Sequence, residues 1–288
     1  MTERLGVLKT YKLFIAGKFP RTESGRSMKV ADGVGGGEAH VCRASRKDLR
    51  AAVEAAHAAQ PGWASAGSFL RSQILYRVAE MLEARSGEFE RSLPPGASAS
   101  SLSPAEEVAL SIDRLVAFAG WCDKYQQVLG THNPVAGPYY NFTVPEATGV
   151  VGVIAPPEPA LLGLVSLLAP VLCSGNAAVV LASRTNPVPG AIFGEVCTSG
   201  DVPPGVVNIL TGDPVELFEH FATHREINAL HAAGLTDEQS TTLRSGAAEN
   251  LKRVCIRETR EWSGDVCESP EWIEPFVEFK TIWHPSSA

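Results

Sequence analysis

The run Val150-Val151-Gly152-Val153-Ile154 decides the fold class, because an unbroken apolar run is typical of a strand buried on both faces. Three further apolar strands are predicted at residues 177–182, 206–210 and 227–231, with helical segments between them. Strands that alternate with helices over short links predict a parallel sheet with helical crossovers. The sequence therefore predicts an α/β protein with a Rossmann-like core over residues 150–235, whose ligands would sit at the carboxyl ends of the strands.

The segments outside this core predict N-terminal helices and a small β element. Ser45 with Asp48, and Ser103-Pro104 with Glu106, are signals for the start of a helix. Residues 139–144 alternate and predict an exposed edge strand. Residues 276–283 also alternate, and their Phe and Trp content indicates packing against another element or another chain. Between them, residues 268–274 predict a loop with an exposed Trp272.

The composition excludes several classes of protein. The chain has 288 residues, of which 44% are hydrophobic and 20% charged, and its formal net charge is −7. This charge offers no basic surface for nucleic acid. Its apolar runs are shorter than the roughly 18 residues of a membrane span, and its first residues lack the apolar region of a secretory signal. We expect a cytoplasmic protein with neither nucleic-acid nor membrane partners, whose six cysteines are reduced and mostly buried.

Several further motifs resemble the cofactor domain of aldehyde dehydrogenases. They are Leu168-Ala169-Pro170, Ser174-Gly175-Asn176-Ala177 and the run VPPGVVNILTG at residues 202–212. The run LFIAGK at 13–18 resembles the N-terminal strand of the family, and KTIW at 280–283 resembles its C-terminal oligomerisation strand. The run NPVAGPY at 133–139 is similar to the degenerate second repeat of aldehyde dehydrogenase family 16. The resemblance implies an NAD-type fold with a nucleophilic cysteine and a general-base glutamate.

The sequence departs from this family at the residues that carry the chemistry. The family has Pro-Trp-Asn after the first sheet strand, and its amide helps to hold the oxyanion. This chain has Pro156-Pro157-Glu158-Pro159, and a carboxylate accepts hydrogen bonds where a donor is needed. The ribose-binding Lys and Glu of the family are replaced within Ala182-Ser183-Arg184-Thr185, where Arg184 is the alternative contact. The family's Phe-Thr-Gly-Ser segment becomes Ala232-Ala233-Gly234-Leu235.

The largest departure is the missing catalytic domain. Only roughly 40 residues separate Gly234 from Phe276, too few for an independent domain. We therefore divide the chain into an N-terminal helical part (1–131), bridging or oligomerisation strands (132–149 and 270–288), the core (150–235) and a connector (236–269) that replaces the catalytic domain.

The leftover candidates for chemistry are weak. Cys255 and Cys267 lie in the connector, and Lys252, Arg253 and Arg257 flank Cys255, but their surroundings do not match the family's cysteine motif. His220 and His224 have the spacing of a partial zinc site, yet no third ligand is evident. The glycine run at 33–37 lacks the Lys-Ser/Thr ending of a phosphate loop. We assign no catalytic, cofactor-binding or metal-binding residue and expect no cofactor.

Two functions remain open. The first is a catalytically inactive aldehyde dehydrogenase-like module that acts in protein association or oligomer assembly, with itself or with another such repeat or protein. The alternative is an NAD-dependent aldehyde dehydrogenase or oxidoreductase with a degenerate site, because helix N-termini at the sheet edge can hold a pyrophosphate.

Overall fold

The computed structural model describes residues 9–32, 37–93, 102–259 and 261–286, so most of the glycine run at 33–37 lies outside the described residues. The strands of the described residues are β1 (Thr10–Tyr11), β2 (Ser27–Asp32), β3 (Gly37–Cys42), β4 (Thr131–Asn133), β5 (Tyr139–Ala147), β6 (Val150–Ile154), β7 (Ala177–Leu181), β8 (Val207–Leu210), β9 (Ala229–Ala233), β10 (Arg253–Arg257) and β11 (Val277–Pro285). The helices are α1 (Arg46–Ser65), α2 (Ser68–Glu83), α3 (Ser86–Ser92), α4 (Pro104–Trp121), α5 (Tyr125–Leu129), α6 (Ala160–Cys173), α7 (Val188–Ser199), α8 (Pro214–Thr223) and α9 (Asp237–Ala248).

A parallel sheet forms the centre of the molecule, in the order β10-β9-β6-β7-β8. All residues of β6, β7, β8 and β9 are buried. The strands β6 and β7 are wholly apolar, whereas β8 and β9 each contain one buried polar residue, Asn208 and His231. The α/β fold with a Rossmann-like parallel sheet is thus confirmed. The sheet extends beyond residues 150–235, because β10 adds a fifth strand from the segment that we had treated as a connector.

Helices cover both faces of this sheet. Alternate residues of β6, such as Val151 and Val153, pack in one apolar cluster with α2, α4, α6 and α7. Their neighbours Val150 and Ile154 pack in a second cluster with α1 and α8. Both predicted helix starts are confirmed: the side chain of Ser45 forms a capping box with Asp48, and that of Ser103 forms one with Glu106.

A second sheet of three antiparallel strands, in the order β11-β5-β4, forms an arm beside the core. The predicted strands at 139–144 and 276–283 are both present, but β5 is not an edge strand. It pairs with β11 along its whole length and with β4 at residues 141–143. The two strands predicted to offer separate free edges therefore pair with each other.

The residues between β9 and β11 pack against the core. They comprise α9, β10 and three short 3-10 helices, and none of the described residues between 237 and 276 forms a separate folded domain. Trp272 is only 3% exposed, so its predicted exposure is wrong. Its ring packs against that of His231, which lies in β9, and against that of Trp262, which lies in the preceding loop.

A buried arginine on α4 holds this segment in place. The Arg114 guanidinium donates to the carbonyl oxygens of Trp262 and Cys267, at 2.8 and 3.1 Å, and to Ser166 Oγ at 3.0 Å. It also forms an ion pair with Glu268 at 3.2 Å. We call residues 261–276 the docked segment.

Among the residues that the structure describes, no helix is both long enough and apolar enough to cross a membrane.

Candidate functional site

The carboxyl edge of the parallel sheet is where a Rossmann-like fold binds its ligand. A cavity of about 140 Å³ lies at this edge, beside the ends of β6, β7 and β9. Apolar side chains and prolines form most of its wall, and Arg184 is the one cationic side chain among the described residues that line it. The lining includes Ile154, Pro157, Leu181, Phe218, Leu235 and Gln239.

The turn after β9 narrows this edge. Gly234 has a positive φ of 64°, and a Cβ atom at this position would lie 2.7 Å from Pro157 Cδ. Only glycine fits this position, because the left-handed backbone and the close proline exclude a side chain. The turn directs Leu235 to the cavity, where the family resemblance places a serine.

Side chains already occupy the N-termini of three helices at this edge. Thr236 Oγ1 accepts the N–H of Gln239 at the start of α9, and Gln239 Oε1 accepts the N–H of Thr236. Asp213 Oδ1 accepts the N–H of Val215 at the start of α8. The third is α6, whose cap comes from a distant residue, Glu107. An anion at these ends would have to displace the existing hydrogen bonds.

Glu107 on α4 provides the cap of α6. Its Oε1 accepts the N–H groups of Leu161 and Leu162, at 2.7 and 3.2 Å. The carboxyl group is 4% exposed, and burial raises its pKa above the ordinary value, with a smaller contribution from the nearby Glu158. Glu158 itself is partly exposed, in the turn that replaces the family's Pro-Trp-Asn.

The cavity does not fit a whole nicotinamide dinucleotide. Ligand pockets commonly have volumes of roughly 300–1,000 Å³, well above the 140 Å³ of this one. The α9 N-terminus is already capped, and Ala182 lines the cavity where the family resemblance implies a ribose-binding lysine. Arg184, the alternative ribose contact, does line the cavity. Most of the described residues around it there are apolar.

None of the six thiols lines this cavity. Cys255 lies in the middle of β10, opposite His231 on β9, and burial raises its pKa. Cys267 is fully buried in the docked segment, where its thiol contacts the carbonyl oxygen of Glu261 at 3.6 Å. The predicted burial of the thiols is confirmed, since five are buried, Cys255 is half-buried and none forms a disulfide.

The cations that flank Cys255 in the sequence bind other groups. Lys252 Nζ donates to the carbonyl oxygens of Phe221 and His224, and burial lowers its pKa to about 8. Arg253 bonds to the carbonyl oxygen of Val277 and the carboxylate of Glu278. Neither Lys252 nor Arg253 is among the charges that lower the pKa of Cys255, which are Arg257 and Arg244, and burial outweighs both of those charges.

Sequence reasoning missed a buried imidazole beside Cys255. His231 is fully buried, and burial together with the nearby Arg257 lowers its pKa well below the ordinary value, so the ring is neutral. Its Nδ1–H donates to the carbonyl oxygen of Leu167 at 2.8 Å, and its Nε2 accepts from Arg257 Nε at 3.1 Å. Arg257 in turn lies over the ring of Trp272, 4.3 Å from its centroid. The signal for this cluster was a histidine inside an otherwise apolar strand.

The histidine pair on α8 does not form a metal site. The N–H of Glu226 donates to His224 Nδ1, and burial lowers the pKa of His224. Both histidines border a surface cavity that is also lined by Arg46, Lys47 and Arg50, and cations of this kind repel a metal ion. Among the residues that the structure describes, no group of three or more His, Cys, Asp and Glu is placed to hold a metal.

Comparison with known sequences agrees with the fold. A model described as the aldehyde dehydrogenase family matches residues 22–258. Cytosolic 10-formyltetrahydrofolate dehydrogenase of Xenopus laevis is 30% identical over 257 residues, which are 85% of this chain and 28% of that protein. Putative aldehyde dehydrogenase DhaS of Bacillus subtilis (strain 168) is 29% identical over 252 residues, covering 86% of this chain and 50% of that protein.

Solved structures give the same result. The NAD+ complex of aldehyde dehydrogenase from Bacillus cereus superposes with a TM-score of 0.78 at 25% identity, covering 86% of this chain and 50% of that one. HpcC from Thermus thermophilus superposes with a TM-score of 0.79 at 26% identity, covering 86% of this chain and 48% of that one. This chain thus spans half or less of the length of these relatives. The narrower likeness to family 16 stays a prediction, but the chain belongs to the aldehyde dehydrogenase family.

Proposed function

We propose that this chain is a catalytically inactive aldehyde dehydrogenase-like module that acts in protein association. The observation that carries this proposal is the position of the thiols. A thiol nucleophile needs a lowered pKa and a place beside the reacting carbon. Here burial raises the pKa of Cys173, Cys197 and Cys255, and no cysteine lines the cavity at the carboxyl edge.

The polar groups at the carboxyl edge support the same proposal. An oxyanion is stabilised by hydrogen-bond donors that point to it. The N–H groups at the start of α6 already donate to Glu107, and Glu158 adds a second carboxylate nearby. The developing negative charge of acyl transfer would be repelled by these carboxylates.

The arm provides the surface for association. Its strand β11 is nine residues long, and β5 is its one partner strand among the described residues. The aromatic side chains of Tyr139, Tyr140, Phe279 and Trp283 are about half exposed on this arm. Exposed aromatic groups on an open strand edge are typical of interaction surfaces. We also propose a cytoplasmic location and partners that are proteins.

Aldehyde turnover tests this proposal. We expect a purified sample of the chain to show no reduction of NAD+ or NADP+ above the protein-free rate with short aliphatic and aromatic aldehydes. The variants C255A and C267A should behave in the same way. Turnover that disappears in C255A or C267A but persists in C197A, which removes a fully buried thiol of α7, would instead support the degenerate oxidoreductase.

A further inference from the structure

A second cavity lies on the surface between the start of α1 and the end of α8. Its volume is about 390 Å³, within the roughly 300–1,000 Å³ of common ligand pockets. It shares no lining residue with the cavity at the carboxyl edge. Five of its lining residues are basic, namely Arg46, Lys47, Arg50, His220 and His224. We call it the basic cavity.

The charge of this cavity differs from that of the whole chain. The described residues that line it include no carboxylate, although the formal net charge of the chain is −7. Two of its cations form exposed ion pairs, Lys47 with Glu23 at 3.2 Å and Arg50 with Glu54 at 2.8 Å. Exposed pairs contribute little free energy, so an anion can compete for both cations. Arg46 has no ion-pair partner among the residues that the structure describes, and its guanidinium is available to a ligand.

The first turn of α1 favours an anion at this position. Arg46 and Lys47 are the first two residues of the helix, where its positive end disfavours cations, and a bound anion would offset that repulsion. The N–H groups of Lys47 and Asp48 already donate to Ser45 Oγ, so side chains rather than the helix end would hold the ligand. Arg46 and Arg50 are four residues apart, on one face of α1 and about 6 Å apart along its axis.

The end of α8 presents donors to the cavity. The Nδ1 of His224 accepts the N–H of Glu226 at 3.3 Å, and burial lowers the pKa of this histidine. The ring is therefore neutral at neutral pH and has its proton on Nε2, which has no hydrogen-bond partner among the described residues. Lys252 Nζ donates to the carbonyl oxygens of Phe221 and His224, which would otherwise repel an anion from this helix end.

We propose that the basic cavity binds a small soluble molecule that carries phosphate groups. A phosphate group accepts several hydrogen bonds and carries up to two negative charges, which suits the guanidinium groups of Arg46 and Arg50. The cavity is larger than one phosphate group needs, and Leu49 lines it with an apolar side chain that an organic group could contact. Neither catalysis nor association requires this site, so it adds a ligand-binding function to the chain.

Titration with pyrophosphate tests this site. We expect the wild type to bind sodium pyrophosphate with a dissociation constant below about 1 mM, measured by isothermal titration calorimetry at constant ionic strength. The variant R46Q/R50Q changes two exposed residues, and its dissociation constant should rise by roughly ten-fold or more, because two charge-assisted contacts are lost. The matched control K124Q/K280Q removes the same charge from exposed positions outside the cavity and should bind like the wild type. R184Q, at the carboxyl edge, should also bind like the wild type.

Histidine resonances locate the ligand without any substitution. In NMR titrations of the wild type with pyrophosphate, the imidazole resonances of His220 and His224 should shift, whereas those of the buried His231 should not. The proposal is overturned if the wild type does not bind pyrophosphate, if the two double variants behave alike, if R184Q weakens binding, or if the resonances of His220 and His224 do not move. None of these outcomes bears on aldehyde turnover, so failure of this site and failure of the inactive-module proposal are told apart.

Discussion

Adjacent glutamates on α4 have opposite electrostatic roles. Burial raises the pKa of Glu107, whereas hydrogen bonds from the hydroxyl and the N–H of Ser103 lower the pKa of the exposed Glu106. If folding raises the pKa of a carboxyl group, its ionisation lowers the stability of the fold as the pH rises. If folding lowers the pKa of a carboxyl group, its ionisation increases the stability of the fold as the pH rises. One helical turn therefore contains a carboxyl group whose ionisation is opposed by burial and another whose ionisation is favoured by hydrogen bonds.

We expect E107Q and E106Q to change the pH dependence of stability with opposite signs. The amide introduced by E107Q still offers an oxygen to the N–H groups of Leu161 and Leu162 but carries no charge, so this variant should gain stability relative to the wild type as the pH rises above about 4.5. Over the same range E106Q should lose stability relative to the wild type. Urea unfolding of the three proteins between about pH 4 and pH 7 measures both differences. Parallel curves for all three would contradict the assigned pKa directions.

The docked segment is an element whose attachment depends on Arg114. We expect R114M to destabilise the protein by about 2–6 kcal/mol, because two buried carbonyl oxygens lose their donors at about 1–3 kcal/mol each. Amide hydrogen exchange in residues 261–276 should accelerate more than exchange in the central sheet. D113A changes the exposed neighbour of Arg114 and should stay within about 0.5 kcal/mol of the wild type. Unchanged exchange in the segment of R114M would show that other contacts hold it.

The strands show which features of the fold can be predicted from a local sequence pattern and which cannot. Mostly apolar runs predicted the four buried strands because both of their faces are covered, although Asn208 interrupts β8 and His231 interrupts β9. The edge strand β10 has no such run, since Arg253, Cys255 and Arg257 alternate with two apolar residues and all five residues are half-buried. The alternation in β5 reports its two faces but not its neighbours in the plane of the sheet, so its central position could not be predicted. Trp272 is buried in part against His231 of β9, a tertiary contact that local polarity does not reveal.

The candidate site was predictable where it depends on the identity of single residues. Glu158, Ala182 and Leu235 could be recognised as departures from the family because each stands at a motif position. The Glu107 cap of α6 could not be recognised, because it joins residues 54 and 55 positions apart in the chain. The contacts of Arg114 and the His231–Arg257 pair are equally long-range. The sequence thus indicated which residues of the family motifs are replaced at the carboxyl edge. Only the structure showed which long-range hydrogen bonds are made there.

At the scale of the whole molecule, the inactive-module proposal predicts that NAD+ does not stabilise the fold. A ligand present at 100 times its dissociation constant adds about 2.7 kcal/mol to the stability of the folded state. For a chain of this size that addition raises the unfolding midpoint by several degrees, at roughly 2–4 °C per kcal/mol. We expect millimolar NAD+ to leave the midpoint of this chain unchanged within error, measured by differential scanning calorimetry.

The aldehyde dehydrogenase from Bacillus cereus, which has been solved as an NAD+ complex, provides the positive control for this measurement. Its midpoint should rise under the same conditions. The variant L235S of the present chain distinguishes two reasons why NAD+ would not bind: the Leu235 side chain at the carboxyl edge, or the hydrogen bonds that cap the helix N-termini there. If Leu235 alone blocks the dinucleotide, L235S should gain a shift with NAD+. If the caps of α9 and α6 also exclude it, as the hydrogen bonds of Gln239 and Glu107 indicate, L235S should remain unshifted. A shift of several degrees in the wild type would contradict the proposal directly, because it would require a dinucleotide to bind an edge where the N-termini of α6, α8 and α9 are already capped.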